Sequence, residues 1–319
     1  MTQYILRRLF WMLPLLLGIT VINYGVYALA PGDPVAALIS PEEFRNLTKE
    51  DLAARREALG LNQPVAVRYL IWLREALTGN LGNSILFQQP VTKLIGQGLR
   101  NTIGLVGLAL FISTVGGILL GLISALRPYS WWDYFLTGFA FSGTAMPGFF
   151  LGLLLIYVVA LKLRLLPTGG ISSPGVTTWG DYLEHLILPV LALTYETLAG
   201  LMRYTRSSML EVLHQEYVTT ARAKGLRERI VLLRHTFRNA LLPIITILGL
   251  RIPALVGGSV LIETIFNYPG IGLTMIRATK GLDYPLLMGG VLVTAVVVLV
   301  SNLIADLAYA LADPRIRYE

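Results

Sequence analysis

Four stretches without a charged residue, 9–30, 101–126, 134–161 and 286–305, limit what this chain can fold into more than any other feature. Each reaches the ~20 residues that an α-helix needs to cross the hydrocarbon core of a bilayer. The overall balance agrees: 55% of the 319 residues are hydrophobic and only 14% are charged. A mean hydropathy of +0.64 is too apolar for a soluble domain of this size. Two further stretches read as spans although they carry charges, Glu196 within 186–204 and Arg251 with Glu263 within 239–266. Backbone groups must be satisfied internally in lipid, so the expectation is an all-α polytopic membrane protein with six transmembrane helices.

A net charge of +7 and a pI near 9.6 could suggest nucleic acid. The basic residues instead cluster beside the ends of the apolar stretches, which is the positive-inside pattern and not a groove-reading surface. With the N-terminus in the cytoplasm, Arg7, Arg8, Arg127, the eight basic residues from Arg203 to Arg238, Arg315 and Arg317 all fall inside, so both termini are expected to be cytoplasmic. The short outer loops keep a few, such as Arg164, Arg277 and Lys280. Residues 31–98 fall outside and are long enough to escape the charge bias. Cysteine is absent, which excludes disulfides and thiolate metal sites. Arg7-Arg8, an apolar run and Ala28-Leu29-Ala30 imitate a secretory signal, but the run is long for one and Pro31 constrains the would-be cleavage site; an uncleaved first span is expected.

The chain thus divides into 1–30, the N-terminus and first transmembrane helix; 31–98, an extracytoplasmic insertion; and 99–319, a membrane core with a cytoplasmic loop at 207–238. In the insertion, Thr48 followed by Asp51 has the form of a helix cap, and Gly60 would end that helix. Val67, Leu70, Ile71, Leu73 and Leu77 approximate a helical stripe between Pro64 and Gly79, readable as a cap on the membrane domain or as a docking surface. Residues 164–185 are expected to form a Gly/Ser/Thr/Pro-rich outer loop, and Trp131, Trp132 and Tyr134 read as interfacial anchors. No internal repeat is evident, which weakens the reading of an inverted-repeat secondary transporter.

Within the cytoplasmic loop, EYVTTARAKGL (216–226) places Val218, Ala221, Gly225 and Leu226 at helical spacing, with Gly225 suited to a helix stop. LRERIVLLRHTFRNALLP then resumes an amphipathic pattern and runs into the fifth span. A short helix on the cytoplasmic face, closed by Gly225 and braced by a second helix, could fit a groove on another protein; a plain basic loop that only satisfies topology is the alternative.

The segment 205–246 resembles the cytoplasmic coupling loop of the membrane subunits of oligopeptide, dipeptide and nickel ABC importers. LRRL, APGDP (30–34), LGLNQPVAVRYL (59–70), GNLGNSI around 80–85, ETIFNYPGIG (263–272), LDYPLL (282–287) and DPRIR (313–317) resemble the first permease subunit of that family, in the same order and over nearly the whole chain. The resemblance implies an ABC importer permease fold in a bacterial or archaeal plasma membrane. It implies that Glu216, Tyr217, Thr220, Ala221, Arg222, Ala223, Lys224, Gly225 and Leu226 form the coupling helix that sits in a cleft of an ATPase. The family's usual Glu-Ala-Ala is replaced here by Thr219, Thr220 and Ala221, so no ion pair from that Glu is assumed. It further implies four partners: a homologous second permease, two cytoplasmic ATPases and an extracytoplasmic substrate-binding protein.

No G-x-x-x-x-G-K-[ST] phosphate loop occurs, so ATP and Mg are expected on the partner ATPases and no cofactor on this chain. H-E-x-x-H and G-x-S-x-G are also absent, and His185, His214 and His235 are scattered, so no catalytic or metal site is expected. The function expected is a permease subunit for peptides or similar small polar solutes. An intramembrane enzyme built on Glu196, Arg251 and Asp306 is the alternative from another class, with a secondary transporter third. Glu196 and Arg251 each lie ten to twelve residues into their spans, at a similar mid-membrane depth, and read as a buried pair or as residues lining the path.

Overall fold

A computed structural model describes residues 2–29, 48–58, 62–176 and 178–312. The motifs APGDP and DPRIR, and Gly60, lie outside the described residues. Among the described residues, eleven α-helices of eight residues or more follow in order: α1 (Thr2–Leu29), α2 (Lys49–Ala58), α3 (Val65–Leu77), α4 (Val91–Leu126), α5 (Trp131–Ala145), α6 (Gly148–Leu155), α7 (Trp179–Leu213), α8 (Glu216–Ala223), α9 (Arg238–Ile265), α10 (Ile271–Lys280) and α11 (Tyr284–Ala312). α6 continues as a π-helical stretch, Ile156–Lys162, and α9 is led in by Glu228–Ile230 and π-helical Val231–Phe237. There is no β-sheet among the described residues, only one isolated bridge between Asn83 and Pro90.

Four helices among the described residues are long and apolar enough to cross a membrane: Ile5–Leu29 within α1, α4, α7, and Tyr284–Leu307 within α11. α9 covers the fifth expected stretch as a single helix. The third expected span, 134–161, is not one straight rod. α5 and the α6 stretch pass the same test together but are bent by 102°. Pro147 has no N–H to give to a helix, and its ring drives the residue before it out of the helical region; Met146 accordingly sits at φ −100°, ψ 116°.

Two compact units divide the chain. The first comprises Met1–Arg100 and Gly270–Leu299. In it the hydroxyls of Thr20 and Tyr69 meet at 2.9 Å and the Tyr24 ring stands edge-on to Tyr69, joining α1 to α3. α3 therefore turns Tyr69 and Trp72 inward, and of the aliphatic stripe Val67, Leu70, Ile71 and Leu77 are exposed and do not pack as a cap within the chain. Thr48 and Asp51 cap α2 reciprocally, the Asp51 amide donating to Thr48 Oγ1 at 3.2 Å and the Thr48 amide to the Asp51 carboxylate at 3.1 Å. The buried Asp283 carboxylate accepts from Ser84 Oγ and from the amides of Leu86 and Leu286, tying GNLGNSI to LDYPLL over a core of Val91, Ile95, Ile271, Ala278 and Leu286.

The second unit comprises Asn101–Pro269 and Val300–Glu319. Its axis is α7, whose side chains are mostly buried against α4, α5, α6 and α9. The crossing of α4 over α7 is close because Gly121 lacks a side chain: a Cβ there would come within 2.6 Å of the Met202 carbonyl oxygen and of Thr205 Cβ. Association in lipid lacks a hydrophobic drive and relies on such small-residue contacts. ETIFNYPGIG forms a buried corner: Glu263, fully buried, accepts from Thr102 Oγ1 at 2.7 Å, Asn101 donates to the Pro269 carbonyl at 2.8 Å, and the Gly170 amide to that of Phe266 at 2.7 Å. Phe10, Trp11, Phe111, Leu119, Phe149 and Phe150 are exposed, as lipid-facing side chains are.

Candidate functional site

α8 is short and polar, and it forms because both its ends are made locally. Gln215 turns the chain out of α7 with φ −73°, ψ 145°. At the other end the Leu226 amide reaches the Ala221 carbonyl at 3.4 Å and the Gly225 amide that of Arg222 at 2.9 Å, the paired bonds of a Schellman motif. That closure requires a left-handed residue, and Gly225 has φ +75°.

Three attachments seat the helix. Val218 and Ala221 are buried against Val231 and Val212. Asn239 Nδ2 donates to the Tyr217 hydroxyl at 3.2 Å. Arg222 Nη2 donates to Glu228 at 2.8 Å. Glu216, Tyr217, Thr220, Arg222, Ala223, Lys224, Gly225 and Leu226 are exposed. Ala221, grouped with them on the sequence, faces inward and serves the seat instead of the outer face.

Arg222's hydrogen bonds hold the Glu228 carboxyl below its ordinary value and raise the guanidinium's own. A lowered carboxylate pKa contributes stability above the ordinary Glu value, and that contribution is lost as pH falls through the depressed one. Both side chains are largely exposed, so the pair is weak. Replacing Glu228 by Gln is expected to speed amide hydrogen exchange in α8 by no more than about five-fold at neutral pH. The difference between variant and wild type should vanish in acid, which exchange measured across pH checks.

A stronger ion pair went unread in the sequence. Asp133, at the start of α5, is 2% exposed. Its carboxylate accepts Arg206 Nε at 2.7 Å and Nη2 at 2.8 Å, the Tyr129 amide at 2.9 Å and Ser124 Oγ. Ser130 caps α5 by accepting from the Asp133 amide. One carboxylate thus joins the end of α4, the turn into α5 and the part of α7 that leads to α8. The S-x-x-D spacing of Ser130 and Asp133 marks the cap; nothing local marks a partner 73 residues away.

Glu196 and Arg203 both lie on exposed parts of α7. Arg203 stacks over the Phe141 ring at 5.4 Å and donates to Thr144 Oγ1 at 3.3 Å. Glu196 makes no hydrogen bond or ion pair with a described residue. Its expected partner Arg251 belongs to α9, but the Arg251 side chain lies outside the described residues. His185 and His214 each bond a carbonyl of their own helix, at 2.8 and 2.6 Å.

Residues 117–318 match the model of the binding-protein-dependent transport system inner membrane component, and residues 1–89 match that family's N-terminal region. The chain belongs to this family. This inner membrane component is 44% identical over 320 residues to the oligopeptide transport system permease protein AppB of Bacillus subtilis (strain 168), with 100% of both chains covered. It is 36% identical over 346 residues to the dipeptide transport system permease protein DppB of Escherichia coli (strain K12), again with 100% of both covered. Its fold is that of solved importer subunits: the MetNI methionine ABC transporter in an inward-facing form (TM-score 0.56, 14% identity, 69% of this chain and 96% of that one) and an amino acid ABC transporter with histidines (0.53, 17%, 68% and 94%). The inner membrane component is a multi-pass permease subunit of an ABC importer and not itself an enzyme.

Proposed function

We propose that this permease carries peptides or similar small polar solutes inward, as half of a translocation path completed by a second, homologous permease. Full-length similarity to an oligopeptide permease carries the reading. Six transmembrane helices, with α9 and the bent α5–α6 pair as two of them, would leave both termini and α8 in the cytoplasm, where the basic residues cluster. Of two ATPase subunits, which hold the ATP and Mg, one docks on the outer face of α8, around Glu216, Thr220, Arg222, Lys224, Gly225 and Leu226. A substrate-binding protein delivers cargo to the outer side.

The seat of α8 supports a mechanical role. α8 follows directly from α7 and rests on the turns that lead into α9, so a push on it reaches both helices at once. Rigid-body movement of packed helices of this kind is a common switching device. The complex of this chain with its second permease, two ATPases and binding protein, rebuilt in proteoliposomes, should take up peptide only when ATP is supplied. Uptake that follows an ion gradient and ignores ATP would overturn the reading.

A further inference from the structure

Arg203 and Glu196 sit in a part of the molecule where an unpaired charge is costly. Thr144, which Arg203 touches, lies thirteen residues beyond Trp131, or ~20 Å along α5. Trp131 is an exposed aromatic residue at the helix start, of the kind found at a bilayer surface. On α7, a helix long and apolar enough to span the bilayer, Arg203 lies ten residues, or ~15 Å, inside the Leu213 end, and its guanidinium reaches toward Thr144. No described carboxylate pairs with Arg203, no described cation pairs with Glu196, and both side chains are exposed, so each is open to water, solute or another subunit.

The surrounding backbone favours water. α5 ends at Ala145, one residue past Thr144, and the chain is extended at Met146 before α6 begins. Non-helical backbone at membrane depth is tolerated only where protein buries it or where it lines a water-filled cavity. The side chains beside the break are polar and accessible: Ser142 and Thr144 are exposed, and the Ser142 and Tyr195 hydroxyls meet at 2.6 Å. Glu196 and Arg203 are seven residues apart, almost two turns, and so share one face of α7 with their α carbons ~10 Å apart along the axis and the Arg203 guanidinium extended toward Thr144.

We propose that Glu196 and Arg203 form a two-point site in the path for a zwitterionic solute, a short peptide with free termini: Glu196 for the ammonium group, Arg203 for the carboxylate. The site rests on the permease reading above and narrows its cargo to molecules that carry both charges. Phe141 and Thr144 hold the guanidinium in place while leaving other donors free for a carboxylate, which accepts a planar pair of N–H groups well.

The test uses the complete reconstituted complex with its binding protein and a tripeptide with free termini, and reads peptide moved per ATP hydrolysed. Glu196→Gln and Arg203→Gln are each expected to lower that ratio at least ten-fold, while Glu196→Asp and Arg203→Lys, which keep the charges, restore much of it. A ratio equal to the wild-type value in both Gln variants overturns the site. That includes the case in which uptake and hydrolysis fall in parallel, which would place the pair in assembly with the second permease. If the wild-type complex itself moves no peptide with ATP, the peptide-importer reading falls first, a distinguishable outcome.

Discussion

Replacing Asp133 with Ala is expected to empty the membrane of most of this subunit and to shorten the life of the purified complex. The carboxylate carries four well-placed donors, two of them from the Arg206 guanidinium. Its removal leaves that guanidinium largely enclosed without a counter-charge, along with an unpaired Tyr129 amide. Breaking one side of a buried pair costs ~3–5 kcal/mol, and Arg206 is 27% exposed, which places the loss near ~3 kcal/mol. The damage should come from the stranded charge more than from the missing bond. Asp133→Asn combined with Arg206→Gln should therefore recover much of the thermal stability that Asp133→Asn alone loses. Thermal inactivation of the complex, followed for the two singles and the double, measures this. A double variant as unstable as the sum of its singles would show that the two side chains are not energetically coupled, which overturns the stranded-charge account.

That ion pair shows where the sequence could be read and where it could not. Apolar runs bounded by charges located the membrane helices, because crossing lipid demands length and neutrality and both are local properties. Their ends were misplaced for the same reason: α7 extends from Trp179 to Leu213, well past the run first bounded as 186–204, since a helix continues through charges that lipid would reject. The bend at Pro147 was written in the sequence, as proline following Met146, but a test of length and charge does not look inside a run. α8 was legible because Gly225 and the spacing of Val218 and Ala221 are local. The partners Asp133 and Arg206 are not local. Nothing local marks the contact of Arg203 with Phe141 and Thr144, sixty-two and fifty-nine residues away. On α3 the aliphatic stripe has the helical period but does not pack within the chain, because Tyr69 and Trp72 offer α1 ring contacts and a hydroxyl bond.

Gly225→Leu should leave the subunit in the membrane at its normal level and uncouple it. A Cβ at Gly225 would meet nothing within 4 Å in this chain, so overlap within the chain is not the cause. The cost lies in the backbone: φ +75° is left-handed, and an ordinary L-residue pays ~1–2 kcal/mol to remain there. The chain relieves that strain by giving up the bonds from the Gly225 and Leu226 amides, which close the last turn of α8. Arg222, Lys224 and Leu226 then lose their fixed positions on the face assigned to the ATPases. A population shift of that size corresponds to roughly 5–30-fold in the closed form. ATP hydrolysis stimulated by the loaded binding protein should fall by a similar factor or more, since in the proposed docking a branched side chain would also enter the ATPase cleft. Gly225→Asn, which tolerates the left-handed region, should retain most of the activity. Full stimulated hydrolysis in Gly225→Leu would show that the ATPases do not grip α8 at this end.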